Sequence, residues 1–183
     1  LLQMGFSFET IPPPPIEERQ YIEPTDLEGS VQRLASLKAG MVSGKYPESL
    51  VLGADTIVVK DREVLGKPRD RQDAFRMLKG LSGRSHEVIT GIALRCEETG
   101  FFESGFSSTK VFFREIGDEE IDAYLSNDEY RDKAGAYAIQ GKALIFVDRI
   151  EGCYYNVVGL PVSNTISLFK EFNVRKESAD VRE

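Results

Sequence analysis

Apolar residues fall into short blocks divided by polar or glycine-rich breaks, and the spacing inside each block predicts its element. Leu1 to Phe8 reads as the end of a helix capped by Gly5, followed by the start of a strand. Pro12 to Pro15, inside Ile11–Ile16, favour an extended connector. Thr25 to Glu28 fits the S/T-x-x-E capping box, and Val31, Leu34, Ala35, Leu37 and Met41 supply one face of the helix it opens. Val51-Leu52 reads as the end of a buried strand, Ile57 to Val59 as a resumption of the strand signal, Lys60 to Glu63 as a polar break, and Val64-Leu65 as the return of a hairpin. Small Gly53 and Ala54 allow close approach to that strand. Asp70 is placed to cap a helix over 71–79, with Ala74, Phe75 and Leu78 buried and Gly80 and Gly83 ending it.

Alternation over His86–Cys96 predicts a strand with His86, Val88, Thr90, Ile92 and Leu94 on one face. A turn over 97–100 leads to a second strand over 101–113. A short helix capped by Asp118 follows, then a polar loop over 127–134. Gly135–Gly141, Ala143–Ile150 and Tyr154–Val158 read as three further strands. Pro161 suits the first turn of a last helix, with Ile166, Leu168, Phe169 and Phe172 inward, and residues 174–183 form a charged tail expected to fray. Alternating helices and hairpins predict an α/β fold with a mixed rather than fully parallel sheet. Neither a repeat nor a linker interrupts the 183 residues, which are enough for one domain with a sizeable core.

Charge and rare residues narrow the chemistry. With 23 Lys and Arg against 30 Asp and Glu, the net charge is −7, so a broad nucleic-acid footprint is not expected. A small anion would need a local basic cluster and a divalent cation instead. Two cysteines and one histidine are too few for a structural zinc site. Apolar runs are far shorter than a membrane span, no signal peptide is visible, and a reducing cytoplasm is the expected compartment. Neither GxGxxG nor a Walker A motif occurs.

The central hairpin carries an acid, Asp55, and a base, Lys67, in a pattern that suits a metal ion beside a polyphosphate. Gln140, between Ile139 and Gly141, can donate and accept hydrogen bonds together, which suits a nucleobase edge or a phosphate oxygen. His86 invites the role of general base, but its place at a strand start also suits a histidine satisfying backbone groups. Arg69 and Arg84 read as surface residues.

Five blocks in order, GADTIVV, LGKPRD, AFRMLKGLSGRSHEVITGIAL, KAGAYAIQG and NVVGLP, resemble the Maf family over about Leu1 to Phe172. That family comprises nucleoside triphosphate pyrophosphatases, historically linked to septum formation. The resemblance implies an elongated, curved mixed sheet with helices around it, two lobes with a cleft between, and a homodimer. The Asp55-Thr56 pair, Lys67 and Gln140 resemble the branch acting on dTTP and UTP, with Thr56 and Gln140 selecting the nucleotide. Glu18 sits where the family carries an active-site glutamate, and Lys38 matches a lysine facing the cleft. Asp55 and Glu18 would then hold a divalent metal, magnesium first, with manganese or cobalt as alternatives, while Lys38 and Lys67 hold the phosphates. Family members precede the Leu1 segment with a strand and a Ser- and Arg-rich phosphate-binding loop, which the resemblance leads one to expect upstream. Two other readings stay open: a purine-preferring pyrophosphatase of the inosine triphosphate type, and a non-catalytic nucleotide-binding regulator of septum formation.

Overall fold

The computed structural model describes residues 5–180, with side chains through residue 175. The Leu1–Met4 part of the expected N-terminal helix lies outside the described residues. Five strands, β1 (Val51–Lys60), β2 (Glu63–Leu65), β3 (Ser85–Cys96), β4 (Phe101–Phe113) and β5 (Val147–Glu151), join in the order β2-β1-β3-β4-β5. The sheet is antiparallel and flanked by helices, an α/β architecture. The helices are α1 (Leu27–Ser43), α2 (Arg71–Leu81), α3 (Asp118–Leu125), α4 (Tyr154–Val158) and α5 (Val162–Asp180). The β1–β2 hairpin turns through Asp61 and Arg62, both at positive φ (49° and 66°), and pairs Val58 with Leu65. Two positive-φ residues give the turn whose twist matches the strands it joins.

Contacts divide the chain into two compact units. The first comprises Leu1–Asp55, Gly91–Phe106 and Leu160–Glu183. Here α1 lies against β1 and β3 at very short range. A Cβ built on Gly53 would stand 2.4 Å from the Ala35 carbonyl oxygen, and one on Gly91 would stand 2.3 Å from the Val31 carbonyl. The close approach expected of Gly53 is therefore to a helix backbone. Ala35, Ala39 and Ala93 fill the small space that remains. A second cluster gathers Ile92, Leu94, Cys96, Phe101 and Leu168, with Leu52, Ala54, Phe169 and Phe172 packed on it. Ala93 belongs to the α1 cluster, and Ile92 and Leu94 to the α5 cluster, so this end of β3 is covered on both faces.

Capping of α1 differs by one residue from the sequence reading. Asp26, not Thr25, is the N-cap, and its carboxylate accepts from the Gly29 N–H at 3.0 Å. Among the described residues, 5–15 have no regular structure, so the strand expected after Gly5 is absent there. A short 3₁₀ turn at Glu18–Tyr21 packs on α1 and was not signalled by the sequence pattern. The tail expected to fray continues α5 as far as Asp180.

The second unit comprises Thr56–Thr90 and Ser107–Gly159. Its core joins Ala74, Met77, Leu78 and Leu81 of α2 to Ile121, Tyr124 and Leu125 of α3, and to Val88, Val111, Phe113, Tyr137 and Phe146. Asp70 caps α2 as expected, accepting from the Asp73 N–H at 2.8 Å. The N-cap of α3 is Gly117 rather than Asp118; its N–H donates to Glu120 at 3.1 Å. Three expected strands are altered. Gly135–Gly141 is a 3₁₀ turn and loop, because Gly135 and Ala136 both adopt positive φ (69° and 63°), which no strand accommodates. Within Ala143–Ile150, Ala143 and Phe146 are buried while Leu144 and Ile145 are exposed, a three-residue spacing that fits the 3₁₀ helix Lys142–Phe146. Only Val147 onward is strand. Tyr154–Val158 is helical and ends at Gly159, whose φ is +108°.

The glycine seat under α1 generates a stability test. Gly53→Ala and Gly91→Ala should each cost about 2–3 kcal/mol in urea unfolding, because the added methyl meets backbone that cannot turn aside. Gly105→Ala, where nothing lies within 4 Å, should cost nothing measurable.

Candidate active site

Helix packing in the first unit brings three of the sequence candidates together. Lys38 projects from α1 on the same side as Ala35 and Ala39, which touch Gly53. Two residues on from Gly53, Asp55 lies on the same face of β1. The Lys38 Nζ donates to Asp55 Oδ1 at 2.5 Å and to Glu18 Oε1 at 2.7 Å. Glu18 arrives from the 3₁₀ turn. The Asp55 side chain is only 6% exposed, Lys38 20% and Glu18 42%, so the triad grades from buried to open. Burial pulls the Lys38 ammonium down, but its hydrogen bonds to the two carboxylates outweigh this and hold it above its ordinary value.

The other three candidates belong to the second unit. Lys67 is exposed. Gln140 is exposed in the loop before the Lys142–Phe146 3₁₀ helix, on a shallow depression of about 430 Å³ lined also by Leu144, Arg149 and Tyr154. Its neighbour Gly141 packs against the Glu129 carboxylate, which accepts from the Lys142 N–H at 2.8 Å. Thr56 follows Asp55 in β1 and so points to the opposite face of the strand. Its hydroxyl lies 2.9 Å from that of Thr90.

Thr56 opens onto a buried network that the sequence pattern did not reveal. The Thr90 hydroxyl donates to the Asn156 carbonyl oxygen at 3.0 Å. The Asn156 side-chain amide donates to the Val88 carbonyl at 2.8 Å and to the Thr109 hydroxyl at 3.0 Å. Thr109 in turn accepts from the Cys153 N–H and donates to the Cys153 carbonyl. Thr90 and Asn156 are 0% exposed. NVVGLP carried the one available hint: a polar Asn in an otherwise apolar block.

His86 has a structural place. It is 2% exposed, and its Nε2 lies 2.7 Å from the Tyr137 hydroxyl. Phe113 and Tyr137 meet its ring edge-on. The expected backbone partners are thus replaced by a tyrosine. Burial pulls its pKa down to about 4. Arg69 pairs with Asp73, and Arg84 with Asp61, as surface residues do.

Two measurements follow. Lys38→Met takes the ammonium away from a nearly buried carboxylate and should lower stability by about 2 kcal/mol at neutral pH; Glu18→Gln, at the open end, should cost under about 1 kcal/mol. Equal costs would contradict the graded triad. His86 binds its proton more weakly folded than unfolded, so its contribution is complete above about pH 6.5 and is lost as pH falls toward 4. That loss should amount to roughly 3 kcal/mol, and His86→Gln should flatten this part of a stability–pH curve.

Comparison with known proteins accords with the five sequence blocks. The Maf-like protein family profile matches residues 1–172. A dTTP/UTP pyrophosphatase of Carboxydothermus hydrogenoformans is 46% identical over 165 residues, covering 90% of this chain and 87% of the relative. A dTTP/UTP pyrophosphatase of Syntrophomonas wolfei is 43% identical over 166 residues, covering 90% and 86%. One from Acetivibrio thermocellus is 46% identical over 181 residues, covering 95% and 89%. With a profile match across most of its length and relatives this similar, the chain belongs to the Maf family.

Proposed function

We propose that this chain hydrolyses dTTP and UTP to the nucleoside monophosphate and pyrophosphate. The observation that carries the reading is Asp55, a nearly buried carboxylate held by Lys38 beside Glu18, in a chain whose relatives are dTTP/UTP pyrophosphatases. A fixed ammonium keeps a buried carboxylate ionised, and an ionised carboxylate can orient a water and accept its proton. In that reaction the water oxygen attacks the α-phosphorus, the bond to the bridging oxygen breaks, and pyrophosphate leaves. Lys38 and exposed Lys67 would offer positive charge to the phosphate oxygens. Thr56 and Gln140 would contact the base.

Two carboxylates converging within hydrogen-bond reach of one ammonium form a donor set that also fits a magnesium-type ion, which takes one or two carboxylates and completes its shell with water and phosphate. Asp55 and Glu18 would hold it; among the described residues no cluster of three or more potential ligands occurs. When bound, such an ion would neutralise phosphate charge and acidify a water.

Pyrophosphate release from dTTP, UTP, CTP, ATP, GTP and inosine triphosphate with magnesium tests the proposal. Release should be fastest from dTTP and UTP. Asp55→Asn should lower kcat at least about 100-fold with the circular dichroism spectrum retained, and Lys67→Ala should lower kcat/KM by about tenfold or more. Nucleotide binding without turnover by the wild-type protein would replace this reading with that of a regulator.

A further inference from the structure

Counting protons through the buried network constrains what Thr56 can do. A threonine hydroxyl has one proton to give and two lone pairs. The Thr90 proton is committed, because its partner at 3.0 Å is the Asn156 backbone carbonyl, which can only accept. At the 2.9 Å contact between the two hydroxyls, Thr90 is therefore the acceptor and Thr56 the donor. Thr90 is wholly buried, whereas Thr56 remains partly exposed. Any further partner of the Thr56 hydroxyl thus meets lone pairs alone. Asn156 cannot relax this arrangement: both its amide protons go to Val88 and Thr109, and its helix is tied to Thr109 a second time through Cys153.

We infer that Thr90 is a positioning residue that turns the Thr56 proton inward, so that Thr56 acts on substrate only as a hydrogen-bond acceptor and selects a base with an imide N–H. The inference rests on the proposal that Thr56 contacts the base. Uracil and thymine carry a proton on N3; cytosine carries a lone pair there, which would face the lone pairs of Thr56. UTP and CTP share ring size but differ at C4 as well as N3, carbonyl against amino, so the change in their ratio between Thr90 variants, rather than the wild-type ratio, reads the sense of the hydrogen bond at Thr56. Reading a base by donor against acceptor is the same physics that distinguishes bases in nucleic-acid recognition. Leaving a polar group opposed rather than paired is what makes such discrimination large.

Thr90→Val removes the acceptor while keeping the side-chain shape. The Thr56 proton is then free to turn outward, and cytosine becomes acceptable. The expected result is a fall of about tenfold in the UTP:CTP ratio of kcat/KM, reached in part by a rise for CTP. Thr90→Ser keeps the hydroxyl and should keep the ratio. In a Thr56→Val background, adding Thr90→Val should leave the ratio where Thr56→Val alone puts it. A merely structural role for Thr90 would lower both substrates alike and leave the ratio unchanged; that result overturns the inference. Should Thr90→Val fold poorly, Thr90→Ala carries the same expectation at the same position. Wild-type preference for UTP with an unchanged ratio in the variants overturns this inference alone. Absence of turnover of every nucleotide by the wild type overturns the pyrophosphatase proposal and this inference with it.

Discussion

Contact of the α1 backbone with Gly53 and Gly91 is the constraint on which the first unit depends. Helices usually rest on sheets through interleaved side chains, which keeps backbones well apart. Here the helix contributes Ala35 and Ala39 and the strands contribute glycine, so nothing larger than a methyl stands between them. The arrangement costs flexibility in the unfolded chain, since glycine loses the most backbone freedom on folding. What it achieves is proximity. Lys38 sits on the face of α1 that touches Gly53, and Asp55 is two residues farther along that strand face. A lysine pressed this close meets the carboxylate with little freedom to leave.

The second unit solves a different problem, that of burying polar groups. Asn156, Thr90 and Thr109 are essentially inaccessible, and each unmatched polar group among them would cost on the order of 1–3 kcal/mol. Backbone carbonyls of Val88, Cys153 and Asn156 and the Thr109 hydroxyl absorb their donors, while Asn156 Oδ1 is left without a partner among the described residues. Helix α4 has only five residues, of which Asn156 is buried, while Val157 and Val158 pack partly buried against the core. The network docks it by hydrogen bonds, which specify direction as well as distance. Gly159 then ends the helix where a Cβ would approach the Thr56 hydroxyl to 3.4 Å.

Legibility in the sequence followed the strength of the local signal. The hairpin at Asp61-Arg62, helix α2 with its Asp70 cap, and the β3–β4 hairpin were readable because periodicity and breaker residues agreed. The segments after Gly135 were not, because short apolar runs of three to eight residues fit strand and 3₁₀ helix equally until burial distinguishes them. Ala143 and Phe146 went inward together, and that spacing, invisible in a run such as KALIF, decided the matter. At the site, Asp55 and Lys67 stood out as residues, while Glu18 and Lys38 stood out only by family resemblance. Neither could be joined to Asp55 from spacing, since helix packing brings them there. Thr90 carried no signal of its own, because a buried threonine in a strand is commonplace, and Asn156 only that of a polar residue in an apolar block.

Electrostatics bears on how such a triad could serve an anionic substrate. Glu18, Lys38 and Asp55 together carry one net negative charge, in a chain whose overall charge is −7. A triphosphate approaching them would meet repulsion from the carboxylates, and at close range in a partly buried site that repulsion is not screened as it would be in bulk water. Lys38 cannot offset it alone, because its charge is already shared between two carboxylates at 2.5 and 2.7 Å. Under the proposed function, productive approach would call for additional positive charge brought with the substrate or held by the carboxylates. The same two carboxylates that oppose the bare anion would attract an anion paired with a divalent cation. Under the proposed function the triad would be better matched to a metal–nucleotide complex than to free nucleotide, with Lys38 fixing the Asp55 carboxylate in place for that match.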